Sequence, residues 1–194
     1  MARLCSIPQE QARYHGGLFH APYPIGIVLH RTEASYKRVH KGFVEGGKRH
    51  VSAHFLIGKH EGEVVQVVDT NQKAYHVGSG ANSYIVGIEF ESIAARKGIH
   101  GTDPLVNADP LTDFQVKTGR KVIEWLCATH GIPRKGPPTK FEMAGCQGLW
   151  RGLLNHRDLR LAPAAFPHAS HGDALRREDW QALLPYGPWQ PPAD

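Results

Sequence analysis

The residues in this sequence that could do chemistry are histidines and carboxylates placed at the ends of apolar runs. The chain carries 13 histidines, so position rather than number has to separate ligands from surface residues. His30 closes the apolar run Ile25–His30 and opens into Arg31-Thr32, where a strand delivers a side chain to a loop-lined site. A capped, partly buried histidine fits the same place. His156 leaves a second apolar segment, Leu149–Asn155, and is followed further on by His171 and Asp173. A catalytic zinc takes three N, O or S ligands from protein and leaves one position open. Two histidines and one carboxylate meet that need, although the separations are not the tight spacing of a zinc finger. Glu89 differs in kind, because it interrupts the apolar stretch Val86-Gly-Ile-Glu-Phe90. A carboxylate among such neighbours is costly unless it is paired or functional. Burial raises a carboxyl pKa, which suits a general base. Strand alternation allows the other reading, with Glu89 on the solvated face and Ile88 and Phe90 toward the core.

These residues need a frame. Hydrophobic residues make up 41% and charged residues 21% of the 194, the composition of a globular domain and not of a disordered chain. The length predicts one domain over 25–184, with a lead-in over 1–24 and a Pro-rich tail over 185–194. The lead-in is expected to be irregular with a short helix. Ile25–His30, Val51–Gly58, Glu63–Val68 and Ile85–Glu91 read as strands, with a hairpin connection at Lys59-His-Glu-Gly62. Ala74–Val77 reads as a further short strand. Ser35–Gly46 has helical spacing. Thr112-Asp-Phe-Gln115 is a capping box opening a helix that Gly131 and Pro133 end. Residues 96–110 and 134–148 read as loops, and Leu175–Leu184 as a last short helix. The expected fold is a mixed α/β domain, a central mixed sheet flanked by helices.

Charge and composition also exclude classes of function. The net charge of +5 favours polyanionic partners, including acidic cell-wall polymers. No basic-aromatic motif points to nucleic acid. No apolar run approaches the ~18–20 residues of a membrane span. The N-terminal stretch has no apolar core of a cleaved signal, which predicts cytoplasmic synthesis. Three sparse cysteines, Cys5, Cys127 and Cys146, predict free thiols rather than a disulfide framework.

Several segments together resemble the zinc-dependent N-acetylmuramoyl-L-alanine amidases of the type-2 amidase and peptidoglycan-recognition-protein superfamily. They are IVLHRTEAS (27–35), VSAHFLIGKHEGEVVQVV (51–68), KAYHVGSG (73–80), VGIEFES (86–92), LNHRDL (154–159) and HGDAL (171–175), in the family's order. The resemblance implies zinc as cofactor, with His30 and His156 as the first two ligands and Asp173 as the third. His171 is then the basic residue two positions before the ligand, a cation for the oxyanion. Asp173-Ala-Leu replaces the family's usual Asp-Pro-Gly or Cys-Pro, and His171 or His168 stay open as alternative ligands. Glu89 matches the family's catalytic glutamate. Ala53 stands where the phage-lysozyme branch has tyrosine, so the chain resembles the glutamate-using branch.

What the resemblance implies is hydrolysis of the amide between the lactyl group of N-acetylmuramic acid and L-alanine of the stem peptide. Glu89 would be the general base toward water at the metal. His54, His76, Arg31 and Asn82 are expected to contact peptidoglycan or muropeptide substrate. A monomer is expected, acting at the cell wall after release without a cleaved signal, or in the cytoplasm as a recycling enzyme. A recognition module that binds peptidoglycan without cutting it is the alternative.

Overall fold

The computed structural model describes residues 3–19, 24–78, 80–93, 109–136, 142, 150–161 and 175–184. Five strands form one sheet: β1 (Gly26–Arg31), β2 (Phe55–Ile57), β3 (Val64–Gln66), β4 (Ile85–Phe90) and β5 (Gly152–Asn155), in the order β3-β2-β4-β1-β5. β1 pairs in parallel with β4 and β5, and β2 in parallel with β4, while β2 and β3 form an antiparallel hairpin. The sheet is therefore mixed, as expected.

Every residue of β1 is buried, because a parallel strand is covered on both faces. Alternation sends Ile27, Leu29, Val86, Ile88, Phe90 and Leu153 into one core, closed by α2 (Asp113–His130). Val28, Ile85 and Leu154 pack on the opposite face. α1 (Tyr36–Val44) buries Phe43 against Leu56, Val65 and Val67 on that opposite side. α3 (Arg177–Leu183) adds Trp180 and Leu183 to the α2 core. The β1–α1–β2 crossover thus covers one face and β4–α2–β5 the other. The carboxyl end of β1 lies where the two directions part, the place where open α/β sheets bind ligands.

α2 starts at the expected capping box. The Thr112 hydroxyl accepts from the Gln115 amide, and the Gln115 side chain accepts from the Thr112 amide. It ends at Gly131 in the left-handed conformation. Among the described residues no helix is long and apolar enough to cross a membrane. Cys5 and Cys127 are free thiols, and Cys146 lies outside the described residues.

Three local expectations are corrected. No helix forms within 3–19. Its backbone instead caps the sheet edge: the Glu10 amide donates to Gln66 O, Ala12 to Val67 O and Gly16 to Lys73 O. An exposed β3 edge would otherwise leave a row of unpaired groups. Ala74–Val77 is not a strand either, because side chains take its amides: Tyr75 donates to Ser52 Oγ, and His76 and Val77 both donate to Asn82 Oδ1. The strand read over Val51–Gly58 is shorter, Phe55–Ile57. Most of 96–110 and 134–148, and the whole tail 185–194, lie outside the described residues.

β5 begins at a glycine with φ of +147°. A Cβ there would stand 2.4 Å from Lys135 O and 2.9 Å from Trp150 Nε1. Gly152→Ala should therefore cost roughly 1–3 kcal/mol by overpacking, with backbone strain added. A urea midpoint equal to that of the wild type would contradict this close approach.

Candidate active site

His30, Glu89 and His156 come together at the carboxyl ends of three adjacent parallel strands, where Glu89 and His156 line a cleft and His30 lies buried beside them. In the β1–β4 ladder His30 is the direct partner of Glu89. On the other side of β1, Leu29 pairs with Asn155, so His156 emerges beside His30 one residue past the strand. The two imidazoles are 1% and 6% exposed, with ring centroids 4.7 Å apart. Glu89 is half-buried and lines a cleft of about 790 Å³ together with His76 and His156. Both earlier readings of Glu89 are thereby resolved. Ile88 and Phe90 do face the core, and Glu89 turns away from it into the cleft rather than onto an open surface.

Behind His30 lies a buried layer that sequence reasoning did not foresee. His30 Nε2 is 2.9 Å from His76 Nδ1, and His76 Nε2 is 3.2 Å from the carbonyl of Ile85. The His76 ring lies over Gly87, where a Cβ would come within 2.5 Å of Nδ1. His54 sits beneath, fully buried. Its Nδ1 accepts from the Gly87 amide, so Nε2 carries the proton and donates to Gln72 O. Burial pushes the His54 imidazole down to about 4. Burial and then the neighbouring His30 and His54 hold His76 well below the ordinary histidine value.

The exit of β5 is built in the same way. Asp158 Oδ2 accepts from the Asn155 amide at 2.7 Å, and Asn155 Oδ1 accepts from the Leu175 amide at 3.2 Å. The spacing Asn-His-Arg-Asp carries this signal, because an Asp three residues on can close a side-chain turn. On the cleft side of β1, Glu33 adopts φ of +53°, uncommon for a residue other than glycine.

The expected substrate contacts divide. His76 and Arg31 line the cleft, but the Arg31 guanidinium is 1% exposed and held by Glu33 Oε1 at 2.9 Å. His54 is fully buried and does not line the cleft, and both its ring nitrogens are engaged by backbone groups. Asn82 uses Oδ1 to clamp the amides of His76 and Val77, and it supports the cleft wall from behind. His168, His171 and Asp173 lie outside the described residues. Sequence reasoning passed over the outer wall, where Arg38, Lys48 and Arg49 are exposed beside Tyr75.

A five-stranded mixed sheet with a polar cleft at the carboxyl ends of its parallel strands defines the class of fold. The chain belongs to the N-acetylmuramoyl-L-alanine amidase family Amidase_2, whose family model matches residues 21–179. It is 26% identical over 163 residues to N-acetylmuramoyl-L-alanine amidase A of Achromobacter lyticus, covering 84% of this chain and 77% of that protein. Among solved structures, a selenomethionine derivative of AmpD superposes with a TM-score of 0.59 at 18% identity, covering 93% of this chain and 94% of that one. Drosophila peptidoglycan recognition protein SD gives 0.55 at 13% identity, covering 96% and 98%. The two solved structures share the fold with this chain.

The buried histidines set a dependence on pH. A histidine whose folded pKa is depressed contributes stability above its unfolded value of about 6.5, and loses it as pH falls. For His54 the window runs from about 6.5 down to about 4, on the order of 3 kcal/mol in all. Urea unfolding in EDTA should give midpoints that fall steadily between pH 7 and pH 4.5, and His54→Gln should flatten the slope. A midpoint independent of pH over that range would contradict the buried neutral imidazole.

Proposed function

We propose that this chain is a zinc-dependent peptidoglycan amidase that cleaves the bond between the lactyl group of N-acetylmuramic acid and L-alanine. The observation that carries the reading is the convergence of His30, His156 and Glu89 at the ends of three adjacent strands, with Glu89 and His156 lining one cleft and the buried His30 ring against His156. The donor chemistry fits zinc: two buried imidazoles side by side, with a cleft-facing carboxylate on the neighbouring strand. Among the described residues no cluster of three or more His, Cys, Asp or Glu completes a metal site. Asp173 is the proposed third donor, on the resemblance of the HGDAL segment.

When bound, zinc supplies Lewis acidity that makes water a nucleophile near neutral pH and polarises a carbonyl. The chain's own groups do the rest. Glu89 takes the proton of the attacking water and returns it to the departing amine of L-alanine. His171 is the proposed cation that stabilises the charge developing on the carbonyl oxygen. The exposed Arg38, Lys48 and Arg49 give the outer cleft the charge that suits an acidic stem peptide. A peptidoglycan-binding role without cleavage would not require a carboxylate beside the two imidazoles, so Glu89 favours the enzyme.

Glu89→Gln should retain zinc and slow release of stem peptide from muropeptide ~10²–10⁴-fold. His30→Ala should lose both zinc and turnover. Near-wild-type turnover in Glu89→Gln would remove the glutamate from the mechanism, and a purified wild type that binds muropeptide without cleaving it would place the chain among recognition modules. Turnover of intact sacculi compared with soluble anhydro-muropeptides assigns the site of action.

A further inference from the structure

Each ring nitrogen of His76 has a defined partner within the sheet. Its Nε2 lies 3.2 Å from the Ile85 carbonyl, which can only accept, so that nitrogen carries the proton. In neutral His76, Nδ1 is then a bare acceptor. The group 2.9 Å from it, His30 Nε2, must in turn be the donor. A neutral His30 with its proton on Nε2 has its lone pair on Nδ1. The opposite arrangement would set the Nε2 lone pair of His76 against the lone pairs of a buried carbonyl, with no donor between them.

The ring that makes this choice is itself held on several sides. Asn82 Oδ1 takes the amides of His76 and Val77 at 3.0 and 2.9 Å. Gly87 supplies the flat floor, since any Cβ there would enter the ring. His54 closes the underside, edge-on to His76 with centroids 5.7 Å apart, and is pinned to Gly87 through both the Gly87 amide and carbonyl. Fixing one rotamer of a buried ring in this way makes its acceptor a permanent feature of the cleft floor.

Resting on the reading of His30 as a metal ligand, we propose that His76 is a positioning residue. It sets the tautomer of His30, presents Nδ1 as the coordinating atom and orients the ring toward His156. His76 accepts a hydrogen bond from the ligand and does not touch substrate at the scissile bond. Its contribution is to spare the metal the cost of selecting one tautomer and one ring angle out of several. Gly87, Asn82 and His54 then form the support of that one interaction, which accounts for their otherwise unconnected demands.

The test reads the tautomer directly. Long-range ¹H–¹⁵N correlation on metal-free protein should show His30 protonated at Nε2 only. His76→Phe keeps an aromatic ring but removes the acceptor, and should shift His30 to a mixture of tautomers and weaken zinc binding ~10–100-fold in chelator competition. His76→Asn places an oxygen where Nδ1 stood, and should restore the Nε2–H form and most of the zinc affinity. A single Nε2–H tautomer and unchanged zinc affinity in His76→Phe would overturn the proposal. So would a wild-type His30 protonated at Nδ1. If wild type shows the Nε2–H tautomer yet binds no zinc, the metal reading fails. The tautomer shift in His76→Phe still decides whether His76 orients His30.

Discussion

The register of β1 between β4 and β5 is the constraint on which the cleft depends. Side chains alternate along a strand, so a slip of one residue would carry His30 to the α2 core and bring Leu29 into the cleft. The pairing of His30 with Glu89, and of Leu29 with Asn155, is what puts two imidazoles and a carboxylate on one face. The register is fixed by burial. Ile27, Leu29, Val86, Ile88 and Leu153 would all leave the core together in any slipped arrangement. Losing even one such side chain from the core costs roughly 1.5–3 kcal/mol. The hydrophobic effect therefore holds the polar cluster in place, although none of the polar groups contributes to it.

The same logic explains why polar groups are tolerated behind the cleft. His54, His76 and Asn82 would each be expensive to bury without partners. Each is matched to backbone groups that the sheet leaves available: the Ile85 and Gln72 carbonyls, and the amides of Gly87, His76 and Val77. Because backbone groups are the partners, the arrangement is as rigid as the sheet. The outer wall is of another kind, with exposed cations on α1 and on the loop that follows it. The cleft thus has a rigid floor and a charged rim.

What could be read from the sequence follows from range of interaction. The apolar runs ending at His30 and before His156, the capping box at Thr112 and the stop at Gly131 are local signals, and each appears where the pattern put it. Glu89 was legible as an anomaly in an apolar strand, but its direction needed the pairing with β1. His76 was legible as an expected substrate contact in KAYHVGSG, but not as the partner of His30. Its role depends on Gly87 lacking a Cβ and on Asn82 reaching back, neither of which has a spacing to detect. The lead-in misled because its prolines and glycines carry no periodicity, and its partners at Gln66 to Lys73 are distant in sequence. His54 and Asn82 suited the cleft by their chemical type, yet the sheet spends them on its own backbone.

The proposed chemistry rests on His30 and His156 holding a metal at the carboxyl ends of β1 and β5. Anomalous diffraction at the zinc edge, from crystals grown with zinc, tests it most directly. One strong peak is expected beside the cleft, about 2.0–2.1 Å from a ring nitrogen of each histidine. A peak elsewhere with none between these two rings, or no ordered zinc in a muropeptide-cleaving protein, would contradict it.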